Sequence, residues 1–305
     1  MGLKRKESCL VVFDKNKEEI AKRFFLAAKK ICENAEMVET PVAKVNGSEP
    51  PKNISTKMKE YDVNLLITTR SLSHTNSRRN ASKKGARIAS MPGITEEMIK
   101  RTLNADYKKI EEANKKLLGL LQGKKLRIVT KKGTDVTMDI GPCFIDSGIY
   151  IKKGDFGNLP AGEVGFAPKN ANGTIIIDKT FAGVGKLRND IKITVKNGFA
   201  EKIIGGKEAK KLSAILKKYN DKNVYNIAEC AIGTNPKAKI TGKTLEDEKV
   251  RGTVHIALGD NTSYPRGKIK APMHLDGIIA QPTIFVDNKK IIDKGKIFKV
   301  ILSRE

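Results

Sequence analysis

Apolar positions in the first third of the chain follow two alternating rhythms. Short apolar runs at residues 9–13, 63–69 and 86–90 read as buried strands. The segments beside them carry apolar residues at helical spacing. Residues 18–33 place Ile20, Phe24, Ala27, Ala28 and Ile31 on one face, and residues 75–84 and 107–121 follow the same rule. Another helix is predicted to begin near Thr95, with Glu96 and Glu97 in its first turn, where the helix dipole favours acids. Strands alternating with helices predict an α/β open-sheet domain, and we place its end at residue 122, before Gly123.

Beyond that point the rhythm changes to a period of two. Residues 126–130 and 135–140 alternate apolar and polar positions across a turn at Gly133, a hairpin signal. Further strands are predicted at 173–178, 191–196, 253–258 and 283–287, with Asn197 and Gly198 as a turn and one helix over 207–218. Residues 123–305 therefore read as a strand-rich α+β domain. The fold class expected is an α/β N-terminal domain followed by an α+β C-terminal domain.

A formal charge of +25 raises the question of nucleic acid, because clustered Lys and Arg neutralise phosphates. Here the lysines are spread along the chain, many on helix faces with interspersed acids. Aromatic residues amount to 5% with no Trp, which leaves little to stack bases on. A basic, non-catalytic nucleic-acid-binding protein is thus the third choice, behind an enzyme acting on a small peptide or other small molecule. No apolar run approaches the roughly 18 residues of a membrane span, and the run after the basic N-terminus is too short for a signal-peptide core. We expect a cytoplasmic protein without a membrane partner. Four cysteines without a C-x-x-C pair read as buried free thiols. Abundant Lys and Ile with few Gln resembles a thermophile's composition.

The chemistry concentrates late in the chain. Of three histidines, His255 and His274 share one segment crowded with Gly252, Gly259, Pro265, Gly267, Pro272 and Gly277. On an extended strand His274 and Asp276 point the same way, so both can grip one ion, with His255 from a neighbouring strand as a third donor. Two imidazoles and a carboxylate suit zinc, manganese, cobalt or ferrous iron. The competing reading is a buried histidine beside a hydrogen-bonded surface pair. Glu163 follows a tight turn, and Glu229 is framed by Ile227, Ala228, Cys230, Ala231 and Ile232. An acid in such a frame is costly unless paired or metal-bound, and a lysine salt bridge is the alternative for each. Glu246, Asp247 and Glu248 lie in a polar stretch and are expected to be solvated. His74 and Arg87 could reach a substrate carboxylate, but packing at a strand end is the expectation for both.

Pro160 to Val164, Asn226 to Glu229 with Gly233 and Thr234, Gly252 to Gly259, and His274 to Asp276 resemble, in order and spacing, the metal-binding motifs of the thermophilic metalloaminopeptidases, the aminopeptidase T and aminopeptidase S group. Leu72 to Thr75 and Gly85 to Thr95 extend the likeness more weakly to the N-terminal part. The resemblance implies Glu163, Glu229, His255, His274 and Asp276 as ligands of two divalent ions, zinc, cobalt or manganese, with one Glu bridging. It implies a metal-activated water, a carboxylate proton shuttle, a tyrosine for which Tyr264 is the candidate, and a homodimer. The same superfamily includes the ring-opening dioxygenases of dihydroxypyridine breakdown, where two histidines and an aspartate hold one Fe(II). Since Glu163 and Glu229 would be superfluous for one iron, we expect a metal-dependent hydrolase first and the dioxygenase as its alternative.

Overall fold

A computed structural model describes residues 1–297. Residues 298–305, the tail of the expected second domain, lie outside the described part. Two compact units emerge, the first from Met1–Asn104 with Gly148–Ala161, the second from Ala105–Ser147 and the chain from Gly162 on. This differs from a single cut after residue 122. The helix Tyr107–Leu120 joins the second unit, and residues 148–161 return to the first, contributing its strand Phe156–Asn158. Periodicity within an element does not say which sheet the element will cover.

The first unit is α/β, as expected. Five parallel strands lie in the order Asn34–Glu39, Ser8–Phe13, Val63–Ile67, Arg87–Ser90, Phe156–Asn158. Val63–Ile67 and Arg87–Ser90 are buried at every position, as parallel strands covered on both faces must be. The edge strand Asn34–Glu39 escaped the sequence reading because Asn34, Glu36 and Glu39 interrupt its apolar positions. Two helices of this unit begin where a side chain accepts an otherwise orphaned backbone N–H. Thr75 accepts from Arg78, and Thr95 from Met98. Asp106 caps Tyr107–Leu120 in the second unit in the same way. The Arg87 guanidinium pairs with Glu7 at 2.6 Å, in line with packing at the strand end.

The second unit is built from two antiparallel sheets. The eight-stranded one runs Phe199–Gly205, Ile191–Lys196, Lys169–Ile177, Asp135–Asp139, Lys125–Val129, Thr283–Val286, Lys289–Asp293, Lys296–Ile297. Asn197 (φ 50°) and Gly198 (φ 81°) both take the left-handed conformation that a two-residue hairpin turn requires. The seven-stranded one runs Gly185–Lys186, Thr180–Phe181, His274–Ile279, Val254–Gly259, Ile227–Gly233, Glu163–Phe166, Cys143–Asp146. One apolar cluster, including Leu126, Ile128 and Val136 of the first sheet and Phe166, Ile232 and Ile256 of the second, forms their common core. Cys9, Cys32 and Cys230 are buried free thiols, and Cys143 is a free thiol of intermediate exposure. Among the described residues no helix is long and apolar enough to cross a membrane.

Candidate metal centre

Four neighbouring strands of the seven-stranded sheet carry every expected ligand. Their registers align the residues: Glu163 faces Gly233, His255 faces Ala231, Ala257 faces both Glu229 and Asp276, and His274 faces Gly259. Directly paired residues share a sheet face, so Glu163, Glu229, His255, His274 and Asp276 all project to one side. Between them on that side stand Gly165, Ala231, Gly233, Ala257 and Gly259, small enough to leave room. Val164, Phe166, Cys230, Ile232, Val254, Ile256, Leu258 and Leu275 point the other way, into the core.

The donor atoms converge in two trios, each within 4.8 Å: Glu163, Glu229 and His255, then Glu229, His274 and Asp276. Glu229 belongs to both, so the two histidines meet on opposite oxygens of one carboxylate. His255 Nε2 lies 3.5 Å from Oε1 and His274 Nε2 3.0 Å from Oε2. His274 Nε2 is also 3.2 Å from Asp276, and His255 Nε2 is 3.2 Å from Glu163. His274 Nδ1 lies 2.7 Å from the Asp260 carbonyl, which makes Nδ1 the donor to that carbonyl and orients the ring with Nε2 toward the carboxylates. Among the described residues no hydrogen-bond partner meets the buried Nδ1 of His255. Tyr264, from the loop before His274, donates its hydroxyl to Glu229 and stacks on Phe144 at 4.9 Å between ring centroids.

The charges of the cluster suit it to a cation. Burial alone would lower both imidazoles, but Glu163 and Glu229 around His255, and Asp276 and Glu229 around His274, outweigh it and hold both well above their usual value. Burial alone would raise Glu229, and the same two histidines pull it well below the usual carboxylate range. Without metal, two bound protons balance the carboxylates; a divalent cation can take over both charges, so the donor set fits one. Burial, then the Glu229 and Asp276 charges, push the Tyr264 phenol well above 10, so it keeps its proton.

Two features escaped the sequence reading. Glu246, Asp247 and Glu248 are buried, not solvated. Asp247 accepts from the amides of Thr241 and Gly242 and from the Thr180 hydroxyl, and Glu246 from the Lys239 amide, so these acids fasten a loop to the sheet. Lys249 is 1% exposed, its ammonium 2.6 Å from Glu163 and 3.0 Å from Glu248. No local signal marks it among the chain's many lysines. The small residues were legible, however: in Val254 to Gly259 large apolar residues alternate with His255, Ala257 and Gly259, the mark of one packed and one open face.

The fold of this chain is shared by solved structures of other proteins. The 2,5-dihydroxypyridine dioxygenase of Pseudomonas putida KT2440 shares it with a TM-score of 0.83, at 22% identity over 96% of this chain and 92% of that one. Wild-type AmpT from Thermus thermophilus does so at 0.65, with 14% identity over 97% and 95%. The family model described as NicX, 2,5-dihydroxypyridine 5,6-dioxygenase, matches residues 2–299, and the chain belongs to that family. The 2,5-dihydroxypyridine 5,6-dioxygenase of Pseudomonas putida KT2440 is 27% identical over 254 residues, 76% of this chain and 70% of that protein. Family membership corrects the hydrolase reading. The superfamily likeness holds, but the aminopeptidase and metalloprotease assignments do not, and the chain falls among oxidoreductases. Of the two glutamates on which the two-ion expectation rested, Glu163 is engaged by a lysine.

Proposed function

We propose that this protein is a ring-cleaving dioxygenase of the dihydroxypyridine type, holding a single ferrous ion through His255, His274 and Asp276 with Glu229 completing the donor set. The observation that carries it is the match over residues 2–299 to a dioxygenase family in a chain whose two buried histidines and carboxylates share one sheet face. Two imidazoles and a carboxylate with open positions are the ligand pattern of non-haem iron oxygenases. Iron, when bound, supplies the one-electron chemistry that triplet dioxygen needs to react with a closed-shell ring.

The chain's own residues do the rest. Tyr264 holds a proton at Oη, hydrogen-bonded to Glu229 and 3.3 Å from His274 Nε2. Phe144 and Tyr264 offer stacked aromatic surface beside the donors, suited to a flat heteroaromatic substrate. Burial of Glu229, His255 and His274 keeps water from the donors. The test is anaerobic purification with Fe(II), iron analysis, and oxygen uptake with 2,5-dihydroxypyridine and its positional isomers. One iron per chain with oxygen uptake matching loss of the ring absorbance is expected. An iron-loaded chain that consumes no oxygen with any of these rings would falsify the proposal.

A further inference from the structure

The sheet face offers two donor trios joined through Glu229, and geometry alone would admit two ions. The trio of Glu163, Glu229 and His255 is joined by a lysine ammonium. Lys249 Nζ sits 2.6 Å from Glu163 Oε2, the oxygen that also faces His255 Nε2 at 3.2 Å. The lysine is fully enclosed, and its backbone is pinned: its amide donates to the Glu246 carbonyl and its carbonyl accepts from Asn235. Glu248, 3.0 Å away, and the nearby Asp146 hold the ammonium on that side.

We infer that Lys249 is a built-in cation occupying, by charge, the Glu163 half of the centre, so that the chain takes one metal ion where its donors could hold two. A second divalent ion would have to share the Glu163 oxygen with an ammonium 2.6 Å from it. At ion-to-oxygen distances of about 2.0–2.2 Å the two positive charges would crowd one acceptor in a site closed to screening water. Glu163 serves to seat the lysine. The inference rests on the single-iron reading above and deepens it.

The test is metal stoichiometry. Apo protein is titrated with zinc(II) by calorimetry and its bound metal measured by elemental analysis, for the wild type, K249M, K249R and the double variant K249M/E163Q. One equivalent is expected for the wild type and K249R, two for K249M, and one again for the double variant. With manganese(II), K249M should give the exchange-coupled EPR spectrum of two ions sharing Glu229, and the wild type that of an isolated ion. A wild type that binds two equivalents overturns both this inference and the single-ion reading. One equivalent in a folded K249M overturns the inference alone. Should K249M fail to fold, E163Q in the native chain decides: unchanged affinity for its one ion is expected, and loss of that ion overturns the role given to Lys249. Absence of ring cleavage with these stoichiometries intact would remove the proposed activity and leave the inference standing.

Discussion

At the scale of single residues, the sign of each environment decides its consequence. H274A, D276A and E229A are each expected to lose bound metal in elemental analysis while keeping the far-ultraviolet circular dichroism of the parent. Their donors share one small volume, and nothing else in the trio of Glu229, His274 and Asp276 replaces a missing one. Full occupancy in all three would sink the assignment. Glu7 is a control far from this chemistry in kind. The hydrogen bonds from Arg87 hold its carboxyl down at about 2, against an ordinary value of 4.5. A depressed carboxyl stabilises the fold above its unfolded value, and that contribution disappears as pH falls from about 4.5 toward 2. E7Q should therefore cost about 2 kcal/mol in urea unfolding at pH 7, a charged hydrogen bond's worth, and the gap to wild type should close near pH 2. A gap that stays constant across this range would show that the pair contributes nothing through its charge.

At the scale of elements, the strand alternation both builds the centre and keeps it open. Four strands place their donors on one face because their registers bring positions of the same side opposite one another, and the opposite face is sealed into the core. Ala257 lies directly between Glu229 and Asp276 in the cross-strand row. A257L should put a branched side chain among the donors, abolish metal binding, and cost about 1–3 kcal/mol by overpacking. Retained metal in folded A257L would mean that the row does not line the ion's seat. Gly259 plays a related part. It pairs with His274 at φ 110°, and a Cβ there would lie 2.2 Å from the Met273 carbonyl, so only glycine lets the two strands meet at the ligand.

At the scale of the whole molecule, metal and stability are linked. An ion that binds only the folded chain adds stability by mass action, about 2.7 kcal/mol when its free concentration is a hundred times the dissociation constant. Chelator treatment should lower the melting temperature, and added Fe(II) should raise it in proportion to the logarithm of concentration. Identical melting curves with and without chelator would separate the cluster from metal altogether.

Much of this was legible beforehand because it is local. The helices from Glu18, Asn76, Glu96 and Tyr107, the Gly133 and Asn197–Gly198 turns, and the strand carrying both His274 and Asp276 all follow from periodicity, caps and turn chemistry within a few residues. The candidate ligands were legible too, since histidine is rare here and glycine and proline crowd around it. Only the tertiary structure decided the rest. The burial of Glu246, Asp247 and Glu248, the return of residues 148–161 to the first unit, and the seating of Lys249 on Glu163 depend on contacts between distant segments. A lysine's sequence neighbours cannot say whether it meets water or a buried carboxylate. Residue types and spacing determined which side chains are candidate donors, and the register of four strands decided which of them meet and where Lys249 sits among them.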